Sequence, residues 1–169
     1  MGTPPGRRRH PSGQGEQRMS YPSQSHETFT IERTYPNCLD HVWACWAHLD
    51  KKRAWFGDGL QQMDFRPGGA ESSGFQDSMG EHANETRYFE IQDRRRIVFA
   101  YSMALNGRIH TVSLATVVFA EADGGTRLTY TEQMCVIPPS DGVEGREHGW
   151  NALLTALEAY LVADTRANA

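Results

Sequence analysis

Glu132 has the setting most suggestive of chemistry in this 169-residue chain. It lies in TRLTYTEQM, residues 126–134, where side chains alternate as they do in a strand. Leu128 must face a core, so Tyr130, Glu132 and Met134 follow it inward by the period of two. A carboxyl on an apolar face is costly unless it is paired or protonated. Glu132 is therefore read in one of two ways. It is a ligand anchor or general acid/base, or it is a carboxylate near a strand end that reaches water or pairs with an arginine. His148 is the natural acid/base partner, since an imidazole titrates close to neutral pH. It stands in REHGWNALLTALEAYL, 146–161, two residues before Trp150 and about 200° away from it round a helix. That places it off the apolar stripe. It belongs at a cavity mouth near Glu132, in a solvated first turn, or in a structural hydrogen bond.

Cys38, His41, Cys45 and His48 are a second candidate set, because Cys and His are the usual zinc ligands. They fall at i, i+3, i+7 and i+10 on one side of an expected helix. The outer two are about 15 Å apart at 1.5 Å per residue, so four cannot meet at one ion. They are read as the polar border of an apolar stripe, and no metal is expected. The three cysteines, Cys38, Cys45 and Cys135, form no C-x-x-C, and their odd count fits a reduced, cytoplasmic protein. Ser113 has no G-x-S-x-G elbow around it. A P-loop, a dinucleotide fingerprint and an H-E-x-x-H are all missing, so no cofactor is expected.

These residues must be positioned by the elements around them. Residues 28–35 alternate as a strand and end at Pro36-Asn37. Asn37 is placed to cap a helix carrying Leu39, Val42, Trp43, Trp46 and Leu49, and Asp50 to cap a second, short one, KKRAWF. Strands are then expected over 60–65, 70–79, 82–92, 96–105, 108–120 and 126–134, with Asn106-Gly107 as a hairpin turn. On the 108–120 strand, Val117 and Phe119 face inward, and Ala115, Ser113 and Thr111 follow with small side chains that would leave space. Val112, Leu114 and Val118 face outward, towards a covering layer or a second copy of the chain. After Pro138-Pro139, Asp141 and Glu144 have capping-box spacing. Trp150, Leu153, Leu154, Leu157 and Leu161 form the apolar stripe of a long helix, which must dock on the sheet. Gly145 and Gly149 suggest that another backbone approaches its front end.

Length favours one domain, and 38% hydrophobic with 22% charged residues supports a core but no bilayer span. The net charge of −4 argues against a nucleic-acid partner. Residues 1–18, MGTPPGRRRHPSGQGEQR, have no apolar residue beyond Met1, so they neither order themselves nor form a signal peptide. Without that segment the chain keeps 13 basic against 20 acidic side chains. The expected division is a disordered tail over 1–25 and one domain over 26–164.

The stretches FTIERTYPNCLDHVWACW, AWFG, MDFRPGG, RRRIVF and VVFAEADGGTRLTYTE, with the helix after REHGW, resemble the START-like (SRPBCC) superfamily over about residues 28–162. The branch they are most similar to is the family named for homology to the activator of heat-shock protein 90 ATPase. The resemblance implies an α+β helix-grip fold: an antiparallel sheet of about seven strands wrapped round a long C-terminal helix, with two short helices after the first strand. It also implies a cavity between sheet and helix, and no single activity. The expected occupant is a small apolar ligand. Trp55, Phe65, Phe75, Phe89, Phe99, Tyr101, Ser113, Tyr130, Glu132, His148 and Trp150 are the cavity candidates. The alternatives are a chaperone ATPase regulator and a cyclase- or hydrolase-like enzyme using Glu132 and His148. Neither a nucleic-acid nor a membrane partner is expected, and the chain is read as a monomer or homodimer.

Overall fold

The computed structural model describes residues 23–167. The 1–18 segment, and the expected tail as far as residue 22, lie outside the described residues. The elements run β1 Ser25–Tyr35, α1 Leu39–Ala47, α2 Leu49–Phe56, β2 Leu60–Met63, β3 Ala70–Asp77, β4 Gly80–Gln92, β5 Arg96–Leu105, β6 Arg108–Ala122, β7 Gly125–Val136 and α3 Gly142–Ala167. The first strand thus begins one residue before position 26, and the last helix runs three residues past position 164.

The strands form one antiparallel sheet in the order β1-β7-β6-β5-β4-β3-β2. Local chemistry dictates the turns: Asn106 and Gly107 both take positive φ, as a tight hairpin requires. Sequence alternation becomes facial alternation. On β7, Thr126, Leu128, Tyr130, Glu132, Met134 and Val136 are all buried. The sheet grips α3, which is about 39 Å long at 1.5 Å per residue over its 26 residues. Trp150, Leu154, Leu157 and Leu161 are its buried apolar stripe, each gaining roughly 1.5–3 kcal/mol from burial.

Capping follows tertiary contacts rather than local pattern. Cys38, not Asn37, precedes α1, and it makes no side-chain cap. The Asn37 amide instead donates to Thr165 Oγ1 at 2.9 Å on α3. His48, not Asp50, stands at the N-cap position of α2 and likewise makes no side-chain cap, with Asp50 in the first turn. The expected metal-like set is taken apart in the same way. His41 pairs with Asp164 at 2.7 Å, Cys45 donates to the His41 carbonyl, and Cys38 is exposed. Burial pushes the Cys45 thiol up to about 11, away from ligating chemistry.

Candidate functional site

Glu132 is fully buried on β7, and its carboxylate is taken up by four donors among the described residues. Tyr101 on β5 donates its hydroxyl to Oε2 at 2.7 Å, and Tyr130, two residues away on the same face of β7, donates to the same oxygen at 2.6 Å. Ser113 on β6 donates to Oε1 at 2.6 Å, and Arg146 Nη1 reaches Oε1 at 3.1 Å. A carboxylate offers about four lone-pair sites, so this one is saturated. Arg146 comes from the first turns of α3. Nη1 also donates to the Tyr101 hydroxyl at 2.7 Å, and Nη2 donates to Thr111 Oγ1 at 2.6 Å. Trp150, one turn further on, donates its Nε1 to the same Tyr101 oxygen at 3.0 Å. Tyr101 thus gives one hydrogen bond and accepts two, its full capacity.

The electrostatics follow from burial. Burial, with the Glu132 charge beside it, raises the Tyr101 phenol well above its ordinary range. Tyr130 is raised by burial, then by Tyr101 and Glu132. Both stay neutral donors. Burial works against the Arg146 charge, but Tyr101 and Glu132 outweigh it, and its pKa rises. The cluster is an ion pair inside a ring of hydroxyls.

Beside the cluster lies a cleft of about 490 Å³. Its walls are the front of α3 (Gly145, Arg146, Gly149, Trp150, Leu153), the end of α2 and its loop (Phe56, Gly57, Gly59), and the inner faces of β3, β4 and β5, among them Phe75, His82, Asn84, Tyr101 and Met103. A Cβ built on Gly149 would meet nothing within 4 Å, so no backbone packs there, contrary to the expected close approach. The two helix glycines border the cleft instead. A larger depression, about 890 Å³, lies between Cys38–Asp40, Gln92–Arg96 and Val118–Glu121. It is polar, and Arg94 in it is paired with Asp40 at 3.1 Å and Asp93 at 2.7 Å.

The residues of the family described as Activator of Hsp90 ATPase homolog 1-like protein match this chain over 38–162. The chain belongs to that family. A solved protein of Rhizobium loti is 40% identical, covering 82% of this chain and 99% of that one, with a TM-score of 0.77. An uncharacterised protein of Rhizobium leguminosarum is 33% identical, covering 85% and 99%, with a TM-score of 0.80. A Chromobacterium violaceum protein, 23% identical with a TM-score of 0.64 over 79% of this chain and 96% of that one, shares the fold. A search of curated proteins finds no match.

Within this family fold the sequence candidates fall into three groups. Phe75, Tyr101 and Trp150 line the cleft. Ser113, Tyr130 and Glu132 lie in the buried network and are engaged there. Trp55, Phe65 and Phe99 pack in the aromatic core against Trp46, Trp43 and Tyr88 respectively. Two candidates are placed elsewhere. Phe89 is 59% exposed, because its neighbour Tyr88 is buried and strand alternation turns Phe89 to the outer face of β4. His148 is exposed and is not a partner of Glu132. The residue that does reach Glu132 from this helix is Arg146. The signal for it was present: Arg146 stands four residues before Trp150, at the head of the apolar stripe. Phe56, Met103 and Leu153 were also missed as wall residues, since nothing in their local pattern separates a wall from a core.

No described helix is long and apolar enough to cross a membrane. Among the described residues, no group of three or more His, Cys, Asp or Glu is arranged to hold a metal ion.

Proposed function

We propose that this chain is a binding module for a small, largely apolar ligand held in the cleft under the front of α3. The observation that carries this reading is the cleft itself. It has Phe56, Phe75, Met103, Trp150 and Leu153 as walls, and on its border Gly149, where a Cβ would meet nothing within 4 Å. Glu132 has no free lone pair with which to abstract a proton, which favours binding over acid/base catalysis. The test is native mass spectrometry of the purified protein for a retained molecule, paired with Gly149→Leu. That variant removes a helix glycine, a gain of about 1 kcal/mol, and puts a side chain at the cleft wall. Binding falls while the melting temperature holds or rises. A variant that binds a fluorescent apolar dye as tightly as the wild type would sink the reading.

A second reading, regulation of a chaperone ATPase, is favoured by the family's name and by Val112, Leu114 and Val118, which are exposed on the outer face of β6. Copurification with an Hsp90-type chaperone and stimulation of its ATPase would support it. Neither association nor stimulation would remove it.

A further inference from the structure

Among the described residues, Arg146 is the one Lys or Arg lining the cleft. In an apolar cleft a free guanidinium attracts carboxylates, phosphates and sulfonates, and there it pairs with them in bidentate fashion. This guanidinium is not free. It is 6% exposed, its Nη1 is held by Glu132 and Tyr101, and its Nη2 by Thr111. The Glu132 carboxylate lies 3.1 Å away, behind the cleft wall and out of a ligand's reach, and it cancels the charge. Asp141, the other residue of fixed formal charge on the lining, is negative and repels the same anions. His82, also on the lining, is tied to Asp77 at 3.1 Å and stacked on Phe75.

We infer that Glu132 is the specificity-determining residue of the cleft: by neutralising Arg146 it selects uncharged ligands over anionic ones of the same shape. This rests on the cleft reading above. It assigns Glu132 no contact with the ligand. Its role is electrostatic, exerted through Arg146, and like-charge or uncompensated placement is what separates partners of equal shape.

Two dyes isolate the effect. N-phenyl-1-naphthylamine is neutral, and 1-anilinonaphthalene-8-sulfonate adds a sulfonate to the same ring system. The wild type binds the neutral dye about tenfold or more tightly than the anion. In Glu132→Gln, an isosteric change that leaves Arg146 unbalanced, the ratio of the two Kd values moves towards the anion by about tenfold or more. The double variant Glu132→Gln with Arg146→Gln has no charge to balance and keeps the wild-type ratio. An unchanged ratio in Glu132→Gln overturns the inference. If Glu132→Gln does not fold, the wild type and the double variant still decide it: equal affinity of the wild type for both dyes overturns it, as does a double variant that favours the anion. Failure of the cleft reading looks different. There, neither dye binds the wild type, or Gly149→Leu binds both unchanged, and the inference falls with it.

Discussion

Among the described residues two ion pairs are buried, and they solve the same problem differently. At one, Glu132 on β7 meets Arg146 on α3. At the other, Glu71 on β3 meets Lys52 on α2 at 2.5 Å, with the Tyr88 hydroxyl donating to the same carboxylate oxygen. Removing either charge from water is costly, and each must recover that cost locally. The arginine's planar fork spreads over Glu132, Tyr101 and Thr111, on three different strands. The lysine is a point charge, and it is enclosed by the faces of Trp46, Phe56 and Tyr88 at 5.8, 5.3 and 5.9 Å. Their places differ as much as their chemistry. Arg146 and Tyr101 line the cleft, whereas Lys52 stands behind Phe56 and fastens α2 to the β3 side of the sheet. The first pair sets the potential at the cleft wall. The second is mainly a staple.

That contrast is open to direct attack. The largest effect belongs to Arg146→Met, which leaves Glu132 buried without its cation and lowers stability by about 3–5 kcal/mol in urea unfolding. A loss under about 1 kcal/mol would mean that the hydroxyls alone hold the carboxylate. Lys52→Met costs a similar amount, about 3–5 kcal/mol, by the same physics. The two variants separate in dye binding at matched folded fraction. Lys52→Met leaves the neutral-to-anionic ratio at its wild-type value, and a shift there would erase the distinction between a cleft pair and a staple. Tyr130→Phe removes one of the four donors to Glu132 and costs about 1.5–3 kcal/mol, the range for a hydrogen bond to a charged group. Tyr88→Phe, measured beside it, reports what the equivalent phenol is worth to Glu71.

The smallest effect is a pH dependence. His110, half-buried at the start of β6 with Nδ1 3.3 Å from Ser140 Oγ, has its pKa lowered by burial. Asp141 opposes that shift, and Arg146 and His82 add to it. The unfolded chain therefore binds more protons than the folded one below the ordinary value of 6.5. Stability is complete above that pH and is lost as pH falls through it towards the lower folded pKa. Urea midpoints at pH 7.5 and 5.5 should converge in His110→Gln relative to the wild type. An unchanged gap would assign the acid sensitivity to other groups.

Much of the fold was legible because it is periodic. The alternation of TRLTYTEQM places Leu128, Tyr130 and Glu132 on one face whatever surrounds them, and the stripe from Trp150 to Leu161 requires a helix docked along its length. Asn106-Gly107 has few conformations besides a hairpin. Local rules failed where a partner distant in sequence competed for the same group. Asn37 is a sound helix cap by propensity, yet its amide serves Thr165, 128 residues away. Phe89 is aromatic but alternates with Tyr88, and only the packing shows that Tyr88 is the one of the two that the core takes. At the front of α3, His148 has the residue type for acid/base chemistry but lies out of phase with the stripe and stays exposed, while Arg146, in phase with it, is the side chain that is buried.

By itself, then, the sequence determined which residues lie on which face: strand and helix periods are properties of the backbone and need no partner to operate. It also placed a carboxylate on a buried face and so demanded that something balance it. The tertiary structure alone decided what does. Arg146, Tyr101, Ser113, Thr111 and Tyr130 come from α3, β5, β6 and β7, and only the packing of helix on sheet brings them within hydrogen-bonding distance of one another. The same packing leaves the cleft beside them, because a cavity is a sum of distances between elements, and no single element's sequence contains it.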